Sequence, residues 1–298
     1  MQISIGNAPC SWGVEFADDP RNPHWAKVLD ETKEAGYAGV ELGPVGFMPE
    51  DAEILGPALA TRRLALIGGV VFQPFHDAAM WDQVQDCAVR TCRVLQAHRA
   101  NQLVLIDSIS PRRAPTAGRS EEAERLTGHD LTAFTDRLQT IAKMATEEFG
   151  LTASIHAHAA GYVEFEDELE RILDRIDSSI LGVCLDTGHS IYAGFDSVAF
   201  YRRHAKRVAY LHLKDIDPVV KSHVVEKRIG FYDACAMGLF CNIGRGAVDF
   251  VALRKVMESN AFSGWATVEQ DCDLAGSTMP LEDAKTNLDF LKTVGLAR

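Results

Sequence analysis

Hydrophobic and polar residues follow one another along the chain in two periods, which predict alternating strands and helices. Short apolar runs rich in β-branched residues predict eight strands, at residues 3–8, 39–42, 64–72, 102–107, 152–157, 180–185, 208–213 and 265–269. Segments with apolar residues three and four positions apart predict eight helices, at residues 24–35, 49–62, 77–98, 127–149, 164–176, 197–205, 250–259 and 281–291. The chain therefore repeats one strand–helix unit throughout.

Eight strand–helix units in 298 residues are typical of an α/β fold, the (β/α)₈ TIM barrel. A doubly wound sheet is the main alternative, but no glycine-rich nucleotide-binding loop follows the first predicted strand. We therefore predict a single barrel domain over residues 1–298, with one long connection, about residues 215–248, after the seventh strand. Connections of that length in a compact domain are usually functional or partly helical, and a short helix is expected at residues 230–239.

The composition narrows the compartment and the partners. Lys and Arg number 30 against 42 Asp and Glu, and the net charge of −12 argues against a protein that coats nucleic acid or an anionic membrane. Residues 1–9 resemble no signal peptide, and no segment has the roughly 20 apolar residues of a membrane span. Seven scattered cysteines without a CxxC pair predict buried reduced thiols. We expect a cytoplasmic protein with a small-molecule substrate, and the sequence leaves a homo-oligomer open.

Polar and titratable residues collect where the predicted strands end. In a TIM barrel the C-terminal ends of all eight strands meet at the face that carries the active site. The residues at or just after these ends are Glu41, Asp107, His156, His158, Asp186, His189, His212, Lys214 and Glu269. We therefore expect the functional site at this face of the barrel.

Four of these residues predict a metal site. Asp186, His212 and Glu269 come from three successive strands, and one imidazole with two carboxylates suits a divalent ion of intermediate hardness. His156, from strand five, is the candidate fourth ligand. Mn²⁺ or Co²⁺ is the first expectation, with Zn²⁺, Fe²⁺ and Mg²⁺ as alternatives. The structural alternatives are a helix cap for Asp186 and a core position for His156.

Other polar segments are expected to be structural. Arg112, Arg113 and Arg119 lie in the polar loop after the fourth predicted strand, and we expect their side chains to be solvated. The acidic run that begins at Glu164 is typical of the first turn of a helix. Neither segment is assigned to the site, although Glu164 could point toward it.

Four short motifs carry a resemblance to a known family. They are Cys10-Ser11-Trp12-Gly13, Asp186-Thr187-Gly188-His189, His212-Leu213-Lys214-Asp215 and Val268-Glu269-Gln270-Asp271. In this order they resemble the xylose isomerase-like TIM-barrel superfamily, which includes sugar epimerases, isomerases and dehydratases. The segment from Phe231-Tyr232-Asp233-Ala234 to Gly244-Arg245-Gly246 is most similar to the inosose (2-keto-myo-inositol) dehydratases, and the resemblance covers nearly the whole chain.

The resemblance implies roles for individual residues. The candidate ligands from strands six, seven and eight match the metal ligands of the superfamily. His156 stands where many relatives have a glutamate, and inosose dehydratases share a histidine there, so the fourth ligand stays open. His158 matches a histidine near the substrate in related dehydratases, and His189 matches a histidine that contacts the substrate.

The chemistry that the resemblance implies is proton abstraction next to a ketone, a metal-stabilised enolate and departure of a β-hydroxyl as water. We expect His158 to be the base or the acid, and His189 to hold or protonate a substrate oxygen, because imidazoles titrate near neutral pH. Lys214 lies two residues after His212, on the same face of a strand. There it could bind an oxygen, assist proton transfer or form a salt bridge.

Three further residues are expected to contact the substrate. Trp12 could stack on a sugar or cyclitol ring, or be a buried aromatic plug. Glu41 closes the second predicted strand at the active-site face. Arg245 could clamp the long connection or meet the substrate.

These features together predict a divalent-metal-dependent lyase that dehydrates a keto-cyclitol or keto-sugar. An isomerase or epimerase would use the same metal site but return the proton instead of expelling hydroxide. A non-catalytic sugar-binding barrel is the third hypothesis. Elimination on a 3-keto-glycoside is a variant that the sequence does not separate from inosose dehydration.

Overall fold

The structure, a computed structural model, describes residues 2–271 and 279–297. Eight parallel strands close into a barrel, namely β1 (Gln2–Asn7), β2 (Gly39–Glu41), β3 (Ala65–Gln73), β4 (Gln102–Asp107), β5 (Thr152–Ile155), β6 (Gly182–Asp186), β7 (Val208–Leu213) and β10 (Ser263–Val268). Their order around the barrel is β1-β10-β7-β6-β5-β4-β3-β2. Two short strands outside the barrel, β8 (Asp215–Ile216) and β9 (Phe240–Cys241), pair antiparallel. The predicted TIM barrel is confirmed.

Helices follow the barrel strands in the order that the hydrophobic periods predict. The described residues form α1 (Trp25–Ala35), α2 (Ala52–Arg62), α3 (Trp81–Ala97), α4 (Gly128–Phe149), α5 (Glu166–Leu173), α6 (Thr187–Tyr192), α7 (Ser197–His204), α8 (Pro218–Lys227), α9 (Phe231–Ala236), α10 (Phe250–Ser259) and α11 (Pro280–Thr293). Each of the eight predicted helices overlaps one of these. The short helix expected in the long connection is α9.

The long connection after β7 holds more structure than its sequence pattern predicts. Besides α9 it contains α8 and the pair of strands β8 and β9. The valines of α8 do not all lie on one face of the helix, because Val224 is buried whereas Val219 is 76% exposed. Hydrophobic residues in this segment therefore show no clear helical period. A start signal is present all the same, because Asp217 caps the helix and Pro218 occupies its first turn.

A small hydrophobic cluster covers the mouth of the barrel. It is separate from the main core and is built from the connections after β4, β5, β6 and β7. Its largest members are Tyr192, Ile216, Phe231, Leu239 and Phe240. Removing these side chains from water stabilises the packing of the long connection over the strand ends, where the polar residues lie.

Asp215 anchors the long connection directly after β7. Its carboxylate accepts hydrogen bonds from the backbone N–H groups of Gly244, Gly246 and Val248 at 2.8, 3.0 and 3.0 Å. A Cβ at Gly246 would lie 2.3 Å from Asp215 Oδ1, so only glycine lets the backbone come this close. A buried carboxylate therefore holds the turn from Gly244 to Gly246 in place.

Cys87, Cys92, Cys184 and Cys241 are free thiols, and Cys92 and Cys184 are buried. Cys272 lies outside the described residues. Among the helices that the structure describes, none is long and apolar enough to cross a bilayer.

The prediction of a solvated Arg113 is wrong, because its guanidinium is fully buried between carboxylates. Arg113 Nη1 donates to Glu168 Oε1 at 2.5 Å, and Nη2 donates to Glu164 Oε2 at 3.4 Å. The rings of Tyr162 and Phe165 flank the guanidinium, with centroids 5.4 and 5.2 Å from its central carbon. This cluster joins the connection after β4 to the start of α5.

Arg113→Ala is expected to lower the free energy of unfolding by about 3 kcal/mol, because it removes a buried cation from between Glu164 and Glu168. Arg112→Ala is the matched control: its side chain is 74% exposed, and an exposed ion pair such as the one with Glu124 contributes at most about 1 kcal/mol. Urea unfolding followed by circular dichroism measures both values. Equal losses in the two variants would contradict the special role of Arg113.

Candidate metal centre and active site

Four predicted ligands meet at the carboxyl ends of β5, β6, β7 and β10. His156, Asp186, His212 and Glu269 are buried, and each offers a ligand atom within 4.8 Å of the other three. His156 Nε2 lies 3.4 Å from Asp186 Oδ2, and His212 Nδ1 lies 3.3 Å from Glu269 Oε2. Metal–ligand bonds of about 2.0–2.2 Å put opposite ligand atoms about 4 Å apart. The group therefore has the dimensions of a site for one ion.

The hydrogen bonding of this four-ligand group is incomplete in a way that fits a cation. Among the described residues, Asp186 Oδ2, His212 Nδ1 and His156 Nδ1 are buried without a hydrogen-bond partner. Each such atom costs about 1–3 kcal/mol, and a bound metal ion would satisfy those that coordinate it. Asp186 also caps α6, since its Oδ1 accepts from the backbone N–H of His189 at 2.7 Å. The cap uses Oδ1 and leaves Oδ2 for a metal ion.

Glu41 lies behind His212 and orients its ring. Glu41 Oε1 is 3.0 Å from His212 Nε2 and accepts the hydroxyl of Tyr210 at 2.7 Å. A carboxylate on one nitrogen of an imidazole leaves the other nitrogen, here Nδ1, available to a metal ion. The sequence predicts Glu41 as a substrate contact; in the structure Glu41 contacts His212 and also lines the cavity next to the four-ligand group.

Lys214 supplies a positive charge next to the four-ligand group. Its Nζ is close to three carboxylate oxygens, at 2.9 Å from Asp271, 3.0 Å from Glu269 and 3.6 Å from Asp186. Burial opposes the charged amine, but the three carboxylates outweigh it and raise the pKa of Lys214. Against the effect of burial, the same ammonium lowers the pKa of Asp186. The salt bridge considered for Lys214 is therefore present, and the carboxylates are ionised.

One residue, Ala159, holds two neighbouring histidines in opposite tautomers. His158 Nδ1 is 2.9 Å from the carbonyl oxygen of Ala159, which can only accept, so this nitrogen carries a proton. The backbone N–H of Ala159 donates to His189 Nδ1 at 3.2 Å, so a neutral His189 carries its proton on Nε2. Neutral His158 therefore has a free lone pair on Nε2, whereas His189 offers an N–H.

Both of these imidazoles are neutral near pH 7. Burial, followed by the neighbouring His189 and His156, lowers the pKa of His158 well below its ordinary value. Burial, followed by the charge of Lys214, lowers the pKa of His189. The rings of His158 and His189 have centroids 4.2 Å apart, and Phe231 of α9 packs against both. A neutral imidazole with a free lone pair is suited to general-base chemistry.

Two adjoining cavities lead to the group. The central cavity has a volume of about 60 Å³ and is lined by His156, His158 and Glu269 among others. The outer cavity has a volume of about 300 Å³ and shares Glu15 and Asp271 with the central one. A small molecule can therefore approach the ligands and His158 through the same opening.

Trp12 and Arg245 lie away from the four-ligand group. Trp12 is buried, and its Nε1 donates to Glu31 Oε2 of α1 at 2.6 Å, as expected of the aromatic plug that is the alternative for this residue. Arg245 is exposed, and the glycines on both sides of it donate backbone hydrogen bonds to Asp215. Neither residue lines the central or the outer cavity, so their placement gives no support to the predicted substrate contacts.

Three residues at the site have no role in the sequence prediction. Asp271 binds Lys214, and its Oδ2 lies 3.8 Å from His189 Nε2. Glu15 lines both cavities and accepts the hydroxyl of Tyr232 at 3.3 Å. Asp271 can be assigned to the site from the sequence, because it lies near the end of a predicted strand. Glu15 and Tyr232 belong to connections between barrel strands, where no period predicts the direction of a side chain.

The fold and the site define a barrel enzyme with its polar residues at the carboxyl ends of the strands. The sequence matches the family model described as xylose isomerase-like TIM barrel over residues 29–294. The chain therefore belongs to the xylose isomerase-like TIM barrel family and is an enzyme of that family, as the four motifs predict.

Individual relatives agree with this family. The rhizopine catabolism protein MocC of Rhizobium meliloti is 28% identical over 304 residues, which cover 100% of this chain and 90% of MocC. The inosose dehydratase of Geobacillus kaustophilus is 28% identical over 278 residues, which cover 91% of this chain and 88% of that protein. The crystal structure of IolI with a bound zinc atom has a TM-score of 0.74 at 15% identity, covering 99% of this chain and 98% of IolI.

Glu41→Gln is expected to weaken the binding of a divalent metal about 10- to 100-fold, because the ring of His212 loses its orienting carboxylate. Calorimetric titration with Mn²⁺, Co²⁺ and Zn²⁺ measures the dissociation constants. Glu53→Gln, the same change at an exposed position of α2, is the control and should leave them unchanged. Equal affinities in the wild type and Glu41→Gln would rule out a role of Glu41 in positioning a ligand.

Nitrogen NMR of the protein with labelled histidine is expected to show two different neutral tautomers near pH 7. His158 should carry its proton on Nδ1 and His189 on Nε2, because Ala159 accepts from one ring and donates to the other. The variants His158→Gln and His189→Gln assign the two sets of resonances. Finding one tautomer for both rings would refute the assignment.

Proposed function

We propose that this protein is a divalent-metal-dependent hydro-lyase that dehydrates a keto-cyclitol or a related keto-sugar. The observation that carries the proposal is the buried four-ligand group with unpartnered ligand atoms, next to a neutral His158 with a free lone pair. Similarity to an inosose dehydratase supports a polyol ketone as the substrate.

The proposed ligands are His156, Asp186, His212 and Glu269. A divalent ion held there would polarise the substrate ketone and stabilise the enolate formed next to it. Two imidazoles and two carboxylates suit Mn²⁺ or Co²⁺, and equally Zn²⁺, which the structure of the related IolI contains. Lys214 neutralises part of the remaining negative charge.

His158 is the proposed general base. Its Nε2 takes the proton from the carbon next to the ketone, and the electron pair of the C–H bond moves into the enolate. The imidazolium then gives this proton to the β-hydroxyl as the C–O bond breaks, which releases water and leaves an unsaturated ketone. Where the carbon that loses the proton also carries a hydroxyl, this unsaturated ketone is the enol of a diketone. The lowered pKa keeps His158 neutral before the first step and makes its imidazolium a good acid in the second.

His189 is proposed to hold a substrate oxygen rather than to protonate it. Its Nε2 has no hydrogen-bond partner among the described residues. A neutral imidazole does not release its last proton near pH 7, so the N–H acts as a hydrogen-bond donor. Lys214, bound to Asp271 and Glu269, keeps the neighbouring carboxylates in position and is available to a substrate oxygen.

Incubation of the metal-loaded protein with 2-keto-myo-inositol is expected to yield a diketone, which its absorbance reports. Asp186→Ala and Glu269→Ala should abolish the reaction together with stoichiometric metal binding. His158→Gln should retain the metal but lower kcat at least about 100-fold, because only the proton transfer is lost. Glu53→Gln, purified in the same way as the other variants, is the control.

The outcomes separate the competing hypotheses. Full activity of Asp186→Ala would overturn the metal assignment. Exchange of the substrate proton with solvent, without loss of water, would favour an isomerase or epimerase on the same group. Binding of the polyol without either reaction would favour a sugar-binding barrel.

A further inference from the structure

The outer cavity offers more room than the central cavity in front of the ligands. A water molecule takes about 30 Å³ in the liquid, so the central cavity of about 60 Å³ admits only a few atoms. The outer cavity of about 300 Å³ reaches the size range of small-molecule sites. A ring with oxygens at His156 and Glu269 must therefore have most of its body in the outer cavity.

The walls of the outer cavity combine aromatic rings with carboxylates. Phe16 comes from the connection after β1, and Tyr232 and Asp233 come from α9. Aromatic rings pack against the apolar C–H faces of a ring compound, while carboxylates accept hydrogen bonds from its hydroxyl groups. This pairing of groups suits a polyhydroxylated ring.

The charge of the outer cavity is negative. Glu15, Asp19, Asp233 and Asp271 line it, and among the described lining residues the one cation is Arg21. Lys214 balances Asp271 from the neighbouring cavity, which leaves Glu15 and Asp233 as the main source of negative charge. Arg21 Nη2 lies 2.7 Å from Asp19 Oδ2, so a carboxylate of the same cavity already balances this guanidinium. A phosphate or carboxylate group on a ligand would therefore meet carboxylates of the same sign.

We infer that the outer cavity binds the body of an uncharged polyhydroxylated ring, and that the carboxylates of Glu15 and Asp233 are the specificity-determining groups that disfavour sugar phosphates and sugar acids. The inference rests on the proposed function in one respect, namely that the reacting end of the same ring occupies the central cavity. Glu15 lines both cavities, so a ring that spans them passes its carboxylate.

The surroundings of Glu15 favour a hydrogen bond in which a ligand hydroxyl donates to its carboxylate. Its Oε1 already accepts the hydroxyl of Tyr232, which fixes the carboxylate at the junction of the cavities. Burial, followed by the nearby Asp271, raises the pKa of Glu15 to about 7. A ring hydroxyl that donates to this carboxylate stabilises its charged form, whereas an anionic ligand group destabilises it.

Calorimetric binding of matched neutral and anionic probes tests the inference. The pairs are myo-inositol with myo-inositol 1-phosphate, and glucose with glucose 6-phosphate, with inorganic phosphate to reveal direct binding to the metal. The wild type is expected to prefer each neutral probe at least about 10-fold. At pH 8, above the pKa of Glu15 of about 7, Glu15→Gln and Asp233→Asn should each shrink this preference about 3- to 10-fold, because each then removes one negative charge from the lining.

Glu147→Gln is the control, because it removes an exposed charge near the end of α4, which leads to the opposite end of the barrel. The inference fails if the phosphate esters bind as tightly as the neutral probes, if no neutral probe binds, or if all three variants change the preference equally. Asp233 is exposed, so Asp233→Asn is expected to fold and tests the effect of the lining charge on the preference even where Glu15→Gln does not fold. A wild type that prefers the neutral probes but does not dehydrate 2-keto-myo-inositol would refute only the proposed function.

Discussion

The ammonium of Lys214 between three carboxylates is the contact on which the site depends. Parallel strands end at one face of the barrel, so Asp186, Glu269 and Asp271 necessarily come close together there. Buried carboxylates of like charge remain ionised only where a cation balances them, and Lys214 lies within 3.6 Å of all three. A Cβ at Gly188 would lie 2.8 Å from Lys214 Cγ, so this glycine makes room for the lysine.

The connection after β7 turns this charged group into an enclosed site. Asp215 follows Lys214 directly and holds the far end of the connection through backbone hydrogen bonds. Between these points, Phe240 lies 4.8 Å from the ammonium, and Phe231 packs against the rings of His158 and His189. The helix that carries Phe231 also forms a wall of the outer cavity, so one segment shapes both the reacting end and the binding end of the site.

A property that belongs to one segment can be predicted from the sequence, whereas a property that depends on two distant segments in contact cannot. The strand-end positions of His156 and His212 follow from the repeated unit, because every barrel strand ends at the same face. Arg113 looks like a solvated loop residue until Glu164 and Glu168, from another connection, are placed beside it. Trp12 similarly finds its partner on α1, away from both cavities.

The sequence by itself determined the barrel, the family and the four candidate ligands, because hydrophobic period, motif order and residue type are all read along the chain. Only the tertiary structure decided that Glu41 orients His212, that Ala159 reaches His189, and that Glu15 meets Tyr232. Each of these contacts joins segments at least 30 residues apart. Their chemistry depends on distances of about 3 Å, which no local pattern along the chain encodes.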